Sequence, residues 1–295
     1  MKQFKKYSAE NQPKAWLFLL PALGLITVFS VYPILKSFWL SFHKGTLMNP
    51  RFNGITNYQL VLQDPIFHTA MKNTSIYAMF VVPIALVISL MIAWLIFEKI
   101  QHKNFFETVF FIPYVTSTIA IGIVFRYLFN SNYGIINYVL SFFNIAPINW
   151  LNRVQMSVPT LILFGIWSGL AFNIIILLAG FRNISEEYYK VADMFGASKW
   201  EMFLKITLPQ LIPTITFLLT VNFIGAFKVY SQVYALFGGS AGMANSAQTA
   251  VFYIYEKFHV AGRPGIAMAA TMILFVIILL FTFIQNKIIK WVSKL

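Results

Sequence analysis

Residues 182–209 read R-N-I-S-E-E-Y-Y-K-V-A-D-M-F-G-A-S-K-W-E-M-F-L-K-I-T-L-P, a long polar interruption between apolar runs at about 158–181 and 210–236. A bilayer core of about 30 Å is crossed by roughly 20 apolar helical residues, so each flanking run is long enough to span. Four further runs qualify outward from this pair, at about 15–42, 74–97, 105–129 and 264–286. All are too long for strands and none shows sustained alternation, and lipid admits only helices or closed barrels. The expected fold is therefore an all-α integral membrane protein of about six transmembrane helices. Composition agrees: the chain is 59% hydrophobic and 11% charged, with a mean hydropathy of +0.71, whereas soluble domains carry roughly 25% charged residues.

The net charge of +13 does not indicate nucleic acid, because the Lys and Arg residues lie between apolar runs and form no basic surface stripe. There is no cysteine, and His43, His68, His102 and His259 lack any metal-ligand spacing. The first apolar run is too long for a signal peptide, and no small-residue cleavage pattern follows it. Orientation follows the distribution of Lys and Arg. With the N-terminus inside, the cytoplasmic segments carry Lys2, Lys5, Lys6, Lys14, Lys99, Lys103, Arg182, Lys190, Lys199, Lys205, Lys287, Lys290 and Lys294. The exterior loops, at about 43–73, 130–157 and 237–263, carry Lys44, Arg51, Lys72, Arg153, Lys257 and Arg263. Both termini and the 182–209 loop are expected in the cytoplasm. The organisation is a cytoplasmic segment 1–14 followed by a single membrane domain over 15–291.

Within the loop, Ser185-Glu186-Glu187 reads as a helix start, with a capping hydroxyl and acids at the positive end of the dipole. That helix should run to about Phe195, after which Gly196 permits a turn. A second helical stretch, from about Ser198 to Ile206, places Trp200, Phe203 and Leu204 on a similar face. On local physics alone, an amphipathic loop resting on lipid headgroups accounts for this pattern equally well.

Gly196-Ala197, Phe203, Ile206, Leu208-Pro209 and Pro213 match the pattern E-A-A-x-x-D-G-A followed by F-x-x-I-x-L-P-x-x-x-P. The chain thereby resembles the permease subunits of ATP-binding-cassette importers of the carbohydrate-uptake type. The family's Glu falls on Lys190, its first Ala on Val191 and its Asp on Phe195, while Ala192 agrees. Leu17–Ala22, Tyr32-Pro33, Gly54–Tyr58, Asp64-Pro65, Asn73-Thr74, Arg126–Asn130, Tyr133-Gly134, Asn137, Ile166-Trp167, Leu178–Gly180, Gly225–Phe227, Gly238-Gly239 and Tyr253–Tyr255 extend the resemblance over almost the whole chain. It implies a bacterial plasma-membrane protein that pairs with a second, homologous permease, two cytoplasmic ATPase subunits and an extracytoplasmic solute-binding protein. ATP and Mg would sit on the ATPases, with no cofactor on this chain. The resemblance makes 182–209 the ATPase-coupling loop, with Glu187, Lys190, Val191, Ala192, Asp193, Gly196, Ala197, Lys199, Trp200, Phe203, Ile206, Leu208 and Pro209 as its contact set. Glu186, Glu187 or Asp193 would stand in for the missing acids, or the ATPase groove would carry a compensating acid.

Polar residues inside spans are functional candidates by default. At about 1.5 Å per residue, Asn222 falls near the midplane and Asn173 roughly 14 Å from the Arg182 end of its span. Trp167, Asn173, Asn222, Lys228, Tyr230 and Ser231 form the candidate solute path. Amides also bridge packed membrane helices, Lys228 can snorkel, and edge aromatics serve as interfacial anchors. The expected function is alternating-access import of an oligosaccharide, a related sugar or a glycerol phosphate. An ion-coupled secondary transporter of a small polar solute is the alternative, although no Asp or Glu lies near a span centre. A membrane enzyme is disfavoured, since acids and histidines form no catalytic cluster and the phosphate loop G-x-x-x-x-G-K-[ST] is absent.

Overall fold

The computed structural model describes residues 12–99 and 103–292, most of them helical. Most of the expected segment 1–14, together with Lys2, Lys5, Lys6, His102 and Lys294, lies outside the described residues. The chain divides into two compact units, residues up to 62 with 257–273, and residues 63–256 with 274 onward.

The smaller unit opens with α1 (Gln12–Ile26), which widens into a π turn (Thr27–Val31) and continues as α2 (Tyr32–Ser41). Pro33 follows that turn. Proline lacks an N–H and crowds the carbonyl four residues back, so the turn before it expands. A short hairpin of β1 (His43–Gly45) and β2 (Pro50–Phe52) sets Lys44 opposite Arg51. In α3 (Thr56–Gln63) the buried Asn57 amide donates to the Ser41 and His43 carbonyls at 2.8 Å each, tying the helix to the hairpin. A side chain at Gly265 would collide with the same His43 carbonyl, so only glycine fits there.

The larger unit is organised around α4 (Pro65–Lys99), α8 (Val154–Arg182) and α11 (Leu208–Phe227). Two apolar clusters fill the space between them, one around Phe129, Phe164, Phe223 and Phe252, the other around Ile96, Ile174, Phe181 and Leu211. Small residues on α8 set the spacing. Gly165 lies against the Tyr77 ring and Gly180 against Leu211 and Thr214, where a Cβ would sit at 2.8 Å from a Leu211 methyl. Membrane helices approach closely through such positions.

Among the described residues, five helical segments are long and apolar enough to span: Trp16–Ser41, Pro65–Glu98, Val154–Arg182, Lys199–Phe227 and Pro264–Ile289. The sixth expected span, 105–129, is corrected to a bent pair. Helix α5 (Lys103–Val115) meets α6 (Thr118–Leu128) at 101°. Pro113 weakens the last turns of α5, the Thr116 hydroxyl donates to the Ile112 carbonyl at 2.8 Å, and Ser117 is extended. The 210–236 run is also interrupted. Helix α11 ends at Phe227, and the next helix is the short α12 (Ser231–Leu236); α7 (Ile135–Ser141), α9 (Glu186–Met194) and α10 (Lys199–Met202) precede α11 in the chain. The Thr249 hydroxyl caps the Val229 carbonyl at 2.8 Å, which satisfies one of the backbone groups freed by the break. A 3₁₀ turn (Met243–Asn245), α13 (Ala250–Tyr255), a π turn (Glu256–Val260) and α14 (Pro264–Val292) complete the described residues.

Candidate functional site

The 182–209 loop is built from three local devices. Ser185 caps α9, its hydroxyl accepting from the Glu187 amide at 3.3 Å, with Glu186 and Glu187 in the first turn. Gly196 ends the helix at φ +72 in a Schellman turn: its N–H donates to the Asp193 carbonyl and the Ala197 N–H to the Ala192 carbonyl, both at 3.0 Å. Ser198 and Glu201 then form a reciprocal capping box that starts α10. These are the two helices and the turn that the sequence predicts.

Beyond α10 the prediction needs correcting. The second stretch is not a separate surface helix: α10 passes through a π turn (Phe203–Thr207) directly into α11. Pro209 sits two residues beyond that turn, as Pro33 does beyond the other, and the Leu208 N–H reaches back to the Phe203 carbonyl. The Thr207 hydroxyl donates to the Met202 carbonyl at 3.3 Å and meets the Tyr189 hydroxyl at 2.8 Å, tying α9 to the start of α11. Burial pushes the Tyr189 hydroxyl above its ordinary pKa, so it stays a neutral partner in this bond.

The loop is anchored to the end of α4. Lys199 pairs with Glu98 at 2.9 Å. Trp94 packs against Phe203 and Trp200, with ring centroids 4.8 Å and 5.9 Å apart, and Phe97 stacks on Phe181 at 5.1 Å. Of the expected aromatic face, Trp200 and Phe203 stack on each other while Leu204 is exposed. Lys190 forms an (i, i+4) ion pair with Glu186 at 3.6 Å. Val191, Asp193 and Pro209 are exposed; Ala192, Ala197, Ile206 and Leu208 are half-buried. Met194 and Phe195, at the tip, are 86% and 87% exposed.

A second feature lies in the wall formed by α4, α8 and α11. The Asn222 amide donates to the Asn173 Oδ1 at 2.7 Å, so the two intramembrane amides picked out by depth are partners. They line a cavity of about 350 Å³ together with Tyr77, Tyr114, Ser168 and Gln232. Gly165, Gly169 and Gly225 also line it. The other solute-path candidates fall elsewhere. Trp167 packs on Phe125 with ring centroids 4.9 Å apart, and Tyr230 clusters with Tyr255, Phe252 and Tyr234. Lys228 and Ser231 flank the break between α11 and α12 and do not line the cavity. Tyr77 and Tyr114 gave no signal in the sequence, since a tyrosine in an apolar run reads as packing. Gln232 enters the cavity because α11 stops at Phe227.

A family model described as "Binding-protein-dependent transport system inner membrane component" matches residues 74–294. The chain belongs to that family and is a multi-pass membrane permease. The arabinooligosaccharides transport system permease protein AraP of Bacillus subtilis is 32% identical, over 96% of this chain and 90% of its own length. The lactose transport system permease protein LacF of Rhizobium radiobacter is 33% identical, over 95% of this chain and 94% of its own. The trehalose/maltose transport system permease protein MalF of Thermococcus litoralis is 29% identical, over 92% of each chain. Among solved structures, a bacterial ABC transporter importing the acidic polysaccharide alginate superposes with a TM-score of 0.81 at 22% identity, over 99% of this chain and 100% of that one. The fold is therefore that of the permeases of ABC importers.

Proposed function

We propose that this permease imports a carbohydrate by alternating access, as one of two homologous permease subunits powered by separate ATPases. The sugar class rests on the relatives, whose names specify arabinooligosaccharides, lactose and trehalose/maltose. The N- and C-termini and the 182–209 loop face the cytoplasm, a placement supported by the excess of Lys and Arg in those segments. Residues 15–291 form the membrane domain. ATP and Mg belong to the ATPases, and an extracytoplasmic solute-binding protein delivers the sugar.

The observation that carries this reading is the construction of the loop. Two capped helices joined by a Schellman turn hold Met194 and Phe195 outward, apolar and almost fully exposed, in a segment otherwise rich in charge. Exposed apolar side chains rimmed by charge suit a protein groove, and Lys190, already paired with Glu186, adds little net charge to that face. Asn173, Asn222, Ser168, Gln232, Tyr77 and Tyr114 supply donors, acceptors and ring faces of the kind sugars require, and we assign them to the solute path. Reconstitution tests the whole reading: sugar uptake should require the ATPases and hydrolysable ATP. Uptake by the permease pair alone, or uptake driven by an ion gradient, would overturn it.

A further inference from the structure

The stretch between Arg126 and Arg153 contains no charged residue and no histidine, although it joins two membrane helices outside the apolar runs. A connecting loop in water is ordinarily polar. This one reads Y-L-F-N-S-N-Y-G-I-I-N-Y-V-L-S-F-F-N-I-A-P-I-N-W-L-N. It has a fixed form. Asn137 is 7% exposed and fully engaged, donating to the Ser131 and Ile148 carbonyls and accepting from the Ile148 amide and the Trp150 indole, at 2.9–3.2 Å.

Helix α7 is consequently inside out. Asn137 points inward and is saturated, while Ile135, Tyr138, Val139 and, one residue past the helix end, Phe142, spaced i, i+3, i+4 and i+7, point outward, with Ser141 also exposed. Tyr138 is 65% exposed and Phe142 67%, and the adjoining Phe143 is also exposed. The preceding helix α6 also exposes apolar side chains, at Ile119 and Val124. Tyrosine at such a rim suits the headgroup level, where a ring can be buried while its hydroxyl stays wet.

We infer that α7 and the turn after it lie in the membrane–water boundary opposite the 182–209 loop, with Tyr138, Phe142 and Phe143 seated among lipid acyl chains. Helix α8 leads from this segment to Arg182, so the two loops sit at opposite ends of one spanning helix. The run of exposed apolar side chains and the lack of any charge or histidine over 127–152 favour lipid as the occupant over an aqueous protein partner. The embedded segment would hold the outer end of α6 at a fixed depth while the rest of the permease moves.

The chain has no cysteine, so a single introduced thiol reports one place. Tyr138→Cys and Phe142→Cys, made in the full chain, labelled with an environment-sensitive fluorophore and reconstituted into phosphatidylcholine vesicles, are probed with doxyl lipids and with aqueous iodide. Ser240→Cys, in an exposed polar turn, is the aqueous reference. Strong quenching by shallow doxyl lipid, with iodide quenching several-fold below that of the Ser240 label, is the expected result. Quenching by iodide equal to the reference would place the helix in water and overturn the inference. Protection from both quenchers would mean that protein covers the face, and would overturn it equally.

Discussion

Gly196 fixes the geometry of the proposed coupling loop, and its substitution can be worked through quantitatively. At φ +72 the residue is in the left-handed region, and a Cβ built there meets nothing within 4 Å. Any cost of substitution is therefore intrinsic to the backbone. For an L-residue that cost is about 1–2 kcal/mol, lower for Asn and greatest for a β-branched side chain. The energy must come from the two bonds that define the turn, from Gly196 N–H to Asp193 and from Ala197 N–H to Ala192. Amide hydrogen exchange reads those bonds directly. An opening free energy reduced by about 1–2 kcal/mol speeds exchange roughly 5- to 30-fold. The Ala197 amide should exchange slowest in the native chain, faster in Gly196→Asn, faster again in Gly196→Ala and fastest in Gly196→Val, after correction for intrinsic rates. Amides in the middle of α8 should not change. Equal protection of Ala197 in the Val and Asn variants would refute the claim that the left-handed turn holds the loop.

Other substitutions test the packing and the cavity. Asn173→Leu leaves the Asn222 amide without its acceptor inside the membrane and should lower stability by about 1 kcal/mol, whereas the double Leu variant should recover much of that; thermal unfolding in detergent reads both. Gly165→Leu drives a side chain into the Tyr77 ring and should abolish a stable fold, and a Gly165→Ala, Tyr77→Phe pair, which removes the nearest clashing atom and leaves two ring carbons to give way, should be better tolerated than Gly165→Ala alone by the same measure. Glu98→Gln breaks the tie to Lys199 at the surface and should cost no more than about 1 kcal/mol, visible as faster exchange in α10 and unchanged exchange in α8. Asn137→Leu strips four hydrogen bonds from the uncharged loop and should shift the Trp150 emission, since the indole loses its acceptor.

Much of this fold is legible in the sequence because lipid imposes length and hydropathy on every span. The loop is legible too, since Ser185, Gly196 and the Ser198–Glu201 pair each act within a few residues of themselves. What hydropathy does not carry is a change of direction inside an apolar run. The bend at Thr116-Ser117 arises from a proline and a hydroxyl that hydrogen-bonds back to its own helix, and neither alters the mean hydropathy of 105–129. The stop at Phe227 is equally silent, because its compensating hydroxyl comes from Thr249, far along the chain. Depth arithmetic marks Asn173 and Asn222 separately, yet their bond depends on how α8 and α11 face each other. Long-range ties such as Glu98 to Lys199 need the fold itself.

The loop and the cavity share two helices, and this bears on how energy could be coupled to solute movement. Helix α8 carries Asn173 and ends at Arg182, nine residues or about 14 Å farther on. Helix α11 begins at Leu208, against the π turn, and carries Asn222 about 21 Å along. A displacement applied to the loop therefore reaches both members of the Asn222–Asn173 pair, Asn173 directly along α8 and Asn222 across the π turn and along α11. Transmission requires that the loop not absorb the motion by bending, and the features between α8 and α11 work against bending: a Ser185 cap, a Schellman turn, a capping box and the Tyr189–Thr207 bond. The π turn is the compliant element, since its widened hydrogen bonds lie between the rigid loop and α11. On the proposed mechanism, the loop moves as one body, α11 pivots at Phe203–Thr207, and the bond between Asn222 and Asn173 is made or broken as the cavity changes sides.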